Sequence, residues 1–333
     1  MRIAIVKLSA LGDIVHAMVV LQFIKKYNQE IVIDWIVEES FKELLEFHPD
    51  INQVHVITLQ KAKKKKSILL FLNEIRKVKN IKPYDIVIDM QGLIKSAIIS
   101  KLIPSEKTIG FDSKSSRESF AAIFYNQKLN FSYSKNVIER NTAIIEFALK
   151  FSISKKQIQQ KTQFLFPTGN QLEIKLSSIR KNILLIPGAS HFSKCYPISK
   201  LAKLANLIDA NFLVIWGNER EKLMAIKLKK MAPAVNICNK LSIDSLSLLI
   251  SKVDLVIGPD TGPTHFSWAM NIPSITLFGS TPGYRNTYHT RINRVIESES
   301  KVNPYKINKK DNSISKIEPQ AIINLANELL ANK

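Results

Sequence analysis

Residues 1–23 read MRIAIVKLSALGDIVHAMVVLQF, and this stretch decides the class of fold. The apolar run at residues 3–6 predicts a buried β-strand, and apolar side chains then recur at helical spacing over residues 14–23. The loop between the two contains Gly12 and Asp13. The stretch therefore predicts a strand, a Gly-containing loop and a helix, with the Asp13 carboxylate where the strand passes into the helix.

The position of Asp13 has two interpretations. In open α/β sheets, ligands bind in the crevice beyond the carboxyl ends of the strands, which favours a role for Asp13 in binding or chemistry. A carboxylate at the start of a helix also accepts hydrogen bonds from the first helical amides. The position alone leaves both interpretations open.

Strands and helices alternate along the rest of the chain, which predicts parallel sheets with helices on both faces. The pattern changes around residues 157–170, where the turn-forming run Pro167-Thr168-Gly169-Asn170 indicates a domain boundary. We therefore predict an α/β protein with two doubly wound Rossmann-like domains, residues 1–166 and 167–316, facing each other across a cleft. Residues 317–333 are predicted to contain a C-terminal helix, and we leave open that it crosses back to the first domain.

The composition favours a globular protein with an anionic partner. Hydrophobic residues make up 45% of the chain, and the net charge is +20. Such an excess predicts nucleic acid, an anionic membrane face or a phosphorylated substrate, although a lysine-rich genome produces the same bias. No nucleic-acid-binding motif is present, so nucleic acid is the least favoured partner. Without a membrane-spanning stretch, a signal peptide pattern or a cysteine framework, we expect a cytoplasmic protein.

The run GPDTGPTH at residues 258–265 is a candidate phosphate site. It follows a predicted strand and opens a helix, whose free first amides bind anions. Gly262 would let a phosphate approach the backbone between Asp260, Thr261 and His265. The alternative is an ordinary strand-to-helix turn with an Asp or Thr cap and a packed histidine.

Two further loops follow predicted strands. The run PGASHFSK at residues 187–194 offers Ser190 and Lys194, and this lysine could neutralise the charge on a departing diphosphate. The alternative is a surface lysine in a loop. Glu219 and Glu221 follow another strand, where an acidic residue often holds a ribose, although acidic residues also suit the first turn of any helix. The motifs of nicotinamide enzymes, P-loop NTPases and typical α/β-hydrolases are absent from the sequence.

Several stretches together resemble the type I enzymes of the ADP-heptose:lipopolysaccharide glycosyltransferase family, glycosyltransferase family 9. The resemblance covers nearly the whole chain. It rests on the opening IVKLSALGDIVH, on DWIVEE (34–39), YDIVIDMQGLIKSA (84–97), SSRES (115–119) and FYNQK (124–128), on the pair Glu139-Arg140, and on the DTG-x-x-H block with the ITLFG-x-T that follows it.

The resemblance implies a GT-B fold and an inverting transfer of L-glycero-D-manno-heptose from ADP-heptose to a Kdo sugar of Kdo-lipid A. It implies that Asp13 is the general base and that Lys194 faces the donor diphosphate. The ribose contact falls on Glu221 in an ungapped match and on Glu219 if the turn is shorter, and Leu241 falls at an adenine contact. The implied donor-binding residues are Ala189, Ser190, Lys194, Glu219, Glu221, Leu241, Asp260, Thr261, Gly262 and His265.

The resemblance also implies where the acceptor binds. Basic residues of the first domain fall where family members meet the carboxylates and phosphates of the acceptor, namely Lys61, Lys63, Lys64, Arg117 and Arg140. The lysine run also suits anionic headgroups, so we expect a peripheral enzyme on the cytoplasmic face of the inner membrane. No carboxylate cluster is typical of a Mg²⁺–diphosphate site, so we expect no cofactor and no strict metal requirement.

Two competing functions stay open. One is heptosyltransferase II or another core sugar-nucleotide transferase of the same fold, which the match at residues 84–97 disfavours. The other is a non-catalytic protein that binds anions or lipid A, which Asp13 and the run at residues 260–265 disfavour. The chain departs from the family pattern at Ala189, where a hydroxyl residue is frequent, after Lys194, and in a shorter loop at residues 280–290.

Overall fold

The computed structural model describes residues 1–169, 172 and 174–331. The chain divides into two compact units, Met1–Phe164 and Leu165–Lys333. The division falls after residue 164, close to the boundary predicted after residue 166. Asn170 of the predicted turn and the last two residues of the predicted C-terminal segment lie outside the described residues. No helix in the described part of the chain is long and apolar enough to cross a membrane.

The first unit is built on a six-stranded parallel sheet in the order β3-β2-β1-β4-β5-β6. The central strands are nearly continuous apolar runs because helices cover both faces of the sheet. The strands are β1 (Arg2–Val6), β2 (Val32–Glu38), β3 (Gln53–Ile57), β4 (Tyr84–Asp89), β5 (Ser105–Phe111) and β6 (Gln127–Leu129). The helices are α1 (Leu11–Met18), α2 (Val20–Tyr27), α3 (Leu59–Lys64), α4 (Ile68–Lys79), α5 (Ile94–Leu102), α6 (Val137–Leu149) and α7 (Lys155–Gln159), with 3-10 helices at Glu39–Leu44 and Ser119–Phe124.

The second unit repeats this plan with the strand order β9-β8-β7-β10-β11-β12, again all parallel. The strands are β7 (Asn182–Leu185), β8 (Asn211–Val214), β9 (Asn236–Ile237), β10 (Leu255–Pro259), β11 (Ser274–Phe278) and β12 (Asn293–Glu297). The helices are α8 (Ile198–Leu207), α9 (Glu219–Met231), α10 (Ile243–Lys252), α11 (Gly262–Ala269), α12 (Gly283–Asn286) and α13 (Pro319–Ala331), with 3-10 helices at Phe192–Lys194 and Ser313–Lys316.

The C-terminal helix α13 packs within the second unit. Its apolar side chains Ile322, Ile323, Ala326 and Leu329 are buried in the core that also contains residues of β7, β10 and β11. The helix lies against α8 and the two strands β10 and β11. Its packing is therefore that of a core helix of the second unit.

In each unit the first and fourth strands are neighbours, β1 beside β4 and β7 beside β10. The chain leaves these two strands toward opposite sides of the sheet, which opens a crevice at their carboxyl ends. Asp13 follows β1, Lys194 follows β7 and Asp260 follows β10. The sequence motifs therefore stand at the switch points of their sheets, where an α/β fold binds its ligands.

Candidate active site

The carboxylate of Asp260 is the centre of a polar cluster in the second unit. Its Oδ2 atom lies 2.9 Å from Lys194 Nζ, and its Oδ1 atom lies 3.0 Å from His265 Nε2. The Thr281 hydroxyl and the Asn286 side-chain amide donate to Oδ2 at 2.9 Å and 3.1 Å. The partners come from the segment after β7, from α11, and from the loop and short helix α12 after β11, because β11, β10 and β7 are adjacent in the sheet.

The charge state of this cluster follows from its contacts. Asp260 is buried, and burial acts to raise its pKa, but the Lys194 ammonium and the His265 hydrogen bond outweigh burial and hold the pKa well below its usual range. Asp260 is therefore ionised and can only accept hydrogen bonds, so His265 Nε2 carries the hydrogen that it donates. The result is a buried anion with a lysine, a histidine, a hydroxyl and an amide directed at it.

The start of α11 lies next to this cluster. Thr261 is the N-cap residue and makes no side-chain capping hydrogen bond, and Gly262 and Pro263 open the helix. The Thr264 hydroxyl instead donates back to the Pro259 carbonyl at 2.8 Å, which fixes the turn after β10. The predicted phosphate residues Asp260, Thr261, Gly262 and His265 are thus brought together with Lys194.

The two glutamates predicted for a ribose have different surroundings. Glu221 Oε2 accepts a hydrogen bond from the Gly217 amide at 2.7 Å, and its side chain lies against Gly188. A Cβ at position 188 would come within 2.3 Å of Glu221 Cγ, so only glycine permits this approach. Glu219 begins α9, and its side chain is 82% exposed. The structure therefore places Glu221, and not Glu219, against the loop that follows β7.

The other predicted donor residues occupy the same edge of the sheet. Ala189 is buried, and its carbonyl accepts a hydrogen bond from the Arg220 guanidinium, whereas Ser190 is exposed. Leu241 is half-buried directly before Ser242, the N-cap of α10, and follows β9. The Arg220 guanidinium also stacks 4.8 Å from the centre of the Phe192 ring. The loop that leads to Lys194 is thus held by Arg220, a residue that sequence reasoning did not single out.

Thr281, Asn286 and Ser280 are further site residues that the sequence analysis did not name. Ser280 donates to the Ser193 carbonyl at 3.1 Å and so joins the loop after β11 to the loop that carries Lys194. The only sequence signal was that Thr281 ends the ITLFG-x-T stretch. Small hydroxyl and amide side chains in loops are too common to indicate a site without the fold.

In the first unit, Asp13 is the third residue of α1 and its side chain is exposed. Ala10 is the N-cap residue, and its amide donates to Asp13 Oδ2 over a long 3.4 Å. The preceding loop is held by Gln91, whose Oε1 atom accepts from the Leu8 and Ser9 amides at 2.7 Å and 3.3 Å. A residue that follows β4 thereby fixes the loop after β1 and leaves the Asp13 carboxylate at the solvent-facing edge.

The predicted acceptor residues divide into two groups. Lys61, Lys63 and Lys64 are exposed on α3, and Arg117 is exposed in the loop after β5. Arg140 is different, because its side chain is buried.

The Arg140 guanidinium donates to the carbonyls of Phe131 and Ser115 and lies 4.0 Å from the centre of the Phe111 ring. These contacts all lie within the first unit, and the expectation that Arg140 meets the acceptor stays a prediction. Its guanidinium joins Ser115 and Phe131, which lie on either side of Arg117 in the chain, so we expect it to position this segment.

A metal centre is not formed by the described residues. No group of three or more His, Cys, Asp or Glu side chains among them is arranged to hold a metal ion. The two cysteines, Cys195 and Cys238, are not paired with each other, and burial raises the pKa of the Cys238 thiol to about 12.

Comparisons with known proteins agree with this architecture. The sequence pattern described as glycosyltransferase family 9 (heptosyltransferase) matches residues 73–315. The chain is 40% identical to lipopolysaccharide heptosyltransferase 1 of Campylobacter coli, with 100% of both chains covered.

Solved structures of E. coli heptosyltransferase WaaC share the fold. The structure with ADP has a TM-score of 0.80 at 23% identity and covers 99% of this chain and 100% of that chain. The structure with ADP-2-deoxy-2-fluoro heptose has a TM-score of 0.77 at 23% identity and covers 98% and 99%. The predicted GT-B class and the predicted enzyme class are confirmed. The chain belongs to glycosyltransferase family 9, the heptosyltransferase family.

Proposed function

We propose that this enzyme transfers L-glycero-D-manno-heptose from ADP-heptose to a Kdo sugar of Kdo-lipid A, with inversion at the anomeric carbon, at the cytoplasmic face of the inner membrane. The observation that carries the proposal is the cluster of Lys194, His265 and Asp260 at the switch point of the second sheet. The names of the relatives support the sugar, and the ADP-bound WaaC structures support the nucleotide.

The second unit binds the donor in this proposal. Lys194 and the first amides of α11 face the diphosphate, while Glu221 holds the ribose and Leu241 packs against the adenine. When the bond from the anomeric carbon to the diphosphate oxygen breaks, the electron pair stays on ADP, and the Lys194 ammonium stabilises the added charge. Asp260 keeps Lys194 in place before the donor arrives, so little reorganisation is needed during the reaction.

The first unit supplies the base. Asp13 takes the proton from the acceptor hydroxyl as its oxygen attacks the anomeric carbon, and a base positioned in this way contributes about 10²–10⁴ in rate. A single displacement with one base and no enzyme nucleophile inverts the anomeric configuration. The exposure of Asp13 at the carboxyl edge of the sheet supports this role, because a large acceptor can reach it.

The exposed basic residues suit an acceptor with carboxylates and phosphates. Neighbouring strands lie about 5 Å apart, so the ends of β3 and β5, which precede the lysines and Arg117, lie roughly 20 Å apart, with the end of β1 midway. A glycolipid headgroup is large enough to span such a distance. Arg117 can hold a carboxylate with two parallel hydrogen bonds, whereas the lysines act as point charges.

Product analysis tests the proposal. The purified protein is incubated with ADP-heptose and Kdo-lipid A. The mass of the product is measured by mass spectrometry, and the configuration of the new linkage is assigned by NMR. We expect one added heptose with an inverted anomeric configuration. Addition only to an acceptor that already carries heptose would indicate a heptosyltransferase II activity. Binding of lipid A without any consumption of ADP-heptose would overturn the enzymatic proposal in favour of a binding protein.

A further inference from the structure

Helix α4 exposes four large apolar side chains in its first two turns. Of its twelve residues only Val78 is buried, whereas Ile68 and Leu69 are each 75% exposed, and Phe71 and Leu72 are also exposed. The acidic residue of this helix points elsewhere, because Glu74 accepts hydrogen bonds from the Thr58 amide and hydroxyl, both at 2.9 Å. An apolar stripe that faces solvent at the start of a helix marks an interaction surface.

Five lysines stand directly beside this stripe. The turn between α3 and α4 closes through hydrogen bonds from the Ser67 amide to the Ala62 carbonyl and from the Lys66 amide to the Lys63 carbonyl, both at 3.1 Å. Lys66 has the left-handed φ of 49° that this helix ending requires. The turn is thereby fixed, and it places the lysines next to the first turn of α4. These lysines, all exposed, are Lys61, Lys63, Lys64, Lys65 and Lys66.

The neighbouring elements extend the stripe. Helix α5 packs beside α4, and the 3-10 helix Ser119–Phe124 packs on α5. The Ile94 amide at the start of α5 donates to Glu118 Oε2 at 2.7 Å, which ties the two elements together. Ile94, Phe120 and Ile123 are all exposed on these elements. We call the exposed apolar residues of the three elements, together with the five lysines, the apolar-basic face.

The apolar-basic face lies at the same edge of the sheet as Asp13. Helices that connect parallel strands run back along the sheet, so α4 and α5 both begin at the carboxyl ends of the strands. The 3-10 helix starts beside the first residue of α5, because Glu118, directly before it, accepts the hydrogen bond from the Ile94 amide. The exposed apolar residues of α4 and α5 belong to the first halves of their helices. The face is therefore adjacent to the crevice where Asp13 stands.

We propose that the apolar-basic face docks the enzyme on an anionic phospholipid bilayer, with Ile68, Leu69 and Leu72 inserted among the acyl chains. Charge complementarity selects this occupant, since clustered lysines beside apolar side chains combine attraction to anionic headgroups with burial of apolar surface. A lipid-linked acceptor would then reach Asp13 without leaving the membrane. The inference rests on the proposed function only in taking the acceptor to be a membrane lipid.

Vesicle partitioning tests the docking. Wild type is mixed with phosphatidylglycerol–phosphatidylethanolamine vesicles or with phosphatidylcholine vesicles and is separated by flotation. We expect binding to the anionic vesicles only, weakened about tenfold or more in the double variant Ile68→Asp/Leu69→Asp, because each buried leucine-sized side chain contributes about a factor of ten. The matched control is Ile179→Asp/Leu207→Asp, which changes two exposed apolar residues of the second unit and should bind like wild type.

Insertion has a separate signature. The three natural tryptophans are Trp35, Trp216 and Trp268, none of them on the apolar-basic face. In Leu69→Trp, we expect brominated lipids to quench the added emission while leaving wild-type emission unchanged. Binding that is lost equally in the control double variant, or added emission in Leu69→Trp that brominated lipid does not quench, would overturn the proposal. A wild-type dimer that Ile68→Asp/Leu69→Asp converts to monomer, without vesicle binding, would assign the face to a second copy of the chain.

Turnover separates this inference from the proposed function. Ile68→Asp/Leu69→Asp should retain wild-type turnover of a deacylated, water-soluble Kdo acceptor and lose turnover of Kdo-lipid A embedded in vesicles. Wild type that uses the soluble acceptor but does not bind vesicles would overturn the docking and leave the transferase function standing. Wild type that binds vesicles through this face but uses neither acceptor would support the docking and overturn the proposed transferase function.

Discussion

Lys194 and Asp260 form a close ion pair, with Lys194 Nζ 2.9 Å from Asp260 Oδ2, although they lie on loops that follow different strands. The pair is largely buried, with side-chain exposures of 13% and 8%. A buried carboxylate of this kind fixes the direction of the ammonium group. We therefore interpret Asp260 as the residue that positions Lys194, and Lys194 as the residue that meets the donor diphosphate.

The first prediction concerns Lys194. Lys194→Ala should lower kcat by about 10²–10³, because one preorganised group that stabilises developing charge is lost. Lys200→Ala is the matched control, since Lys200 pairs with Glu318 and the Ile317 carbonyl of the second unit, and not with Asp260. Steady-state ADP release checks both variants. Equal kcat values in the two variants would contradict the role of Lys194 in stabilising the charge on the departing ADP.

The second prediction concerns the pH dependence of stability. The pKa of Asp260 is lowered in the folded protein, so the ion pair stabilises the fold fully above the unfolded pKa of about 4 and loses its effect as pH falls through the folded pKa. Asp260→Asn should destabilise the protein by about 3–5 kcal/mol at pH 7, because the Lys194 charge loses its partner.

Urea unfolding of wild type and Asp260→Asn at pH 7, 6 and 5 and at pH 4 and below measures the difference between their free energies of unfolding. The difference in free energy of unfolding between the two proteins should be the same from pH 7 to pH 5 and should become smaller only at pH 4 and below. A difference in free energy of unfolding that becomes smaller between pH 7 and pH 6 would contradict a lowered pKa at Asp260.

The third prediction separates the two glutamates. Glu221→Gln should raise the KM for ADP-heptose about tenfold to a hundredfold, because a charged hydrogen bond to a ribose hydroxyl contributes about 1.5–3 kcal/mol. Gly188→Ala should have a similar effect, since a Cβ there would displace the Glu221 side chain. Glu219→Gln is the control and should keep the wild-type KM. If the KM for ADP-heptose rises in Glu219→Gln and not in Glu221→Gln, the ribose contact would be assigned to Glu219 instead of Glu221.

The fourth prediction distinguishes Arg117 from Arg140. Arg117→Ala should raise the acceptor KM without changing Tm, because the residue is exposed. Arg140→Met should lower the stability by about 2–4 kcal/mol, since two carbonyls lose a charged donor. Acceptor kinetics and thermal unfolding of both variants check this. An unchanged Tm in Arg140→Met would show that the guanidinium does not hold the segment.

Much of the fold could be predicted from short stretches of sequence. The buried apolar runs that became β1, β4 and β10 alternate with helical patterns, and such an alternation has few parallel-sheet solutions. The helix predicted at residues 14–23 begins earlier, at Leu11, and is divided at Val19 into α1 and α2. The short edge strands β6 and β12 were missed, because an edge strand is half exposed and lacks the continuous apolar run of a central strand.

The candidate site could be predicted only in part. Lys194, Asp260 and His265 lie shortly after apolar runs, so their place at the carboxyl edge of the sheet followed from the sequence. Thr281 and Asn286 reach Asp260 from the loop and short helix after β11, and their approach depends on strand order. Arg140 was predicted among the acceptor-binding residues, and only tertiary packing on Phe111 revealed that its side chain is buried.

The most direct test of the account is ADP release from ADP-heptose, with and without Kdo-lipid A, for wild type and Asp13→Ala. Donor binding is measured in parallel by calorimetry. We predict that release by wild type depends on the acceptor, and that in Asp13→Ala this release falls by about 10²–10⁴ while donor binding is retained. Acceptor-dependent release that is unchanged in Asp13→Ala would contradict the account and leave Asp13 as part of the helix start alone.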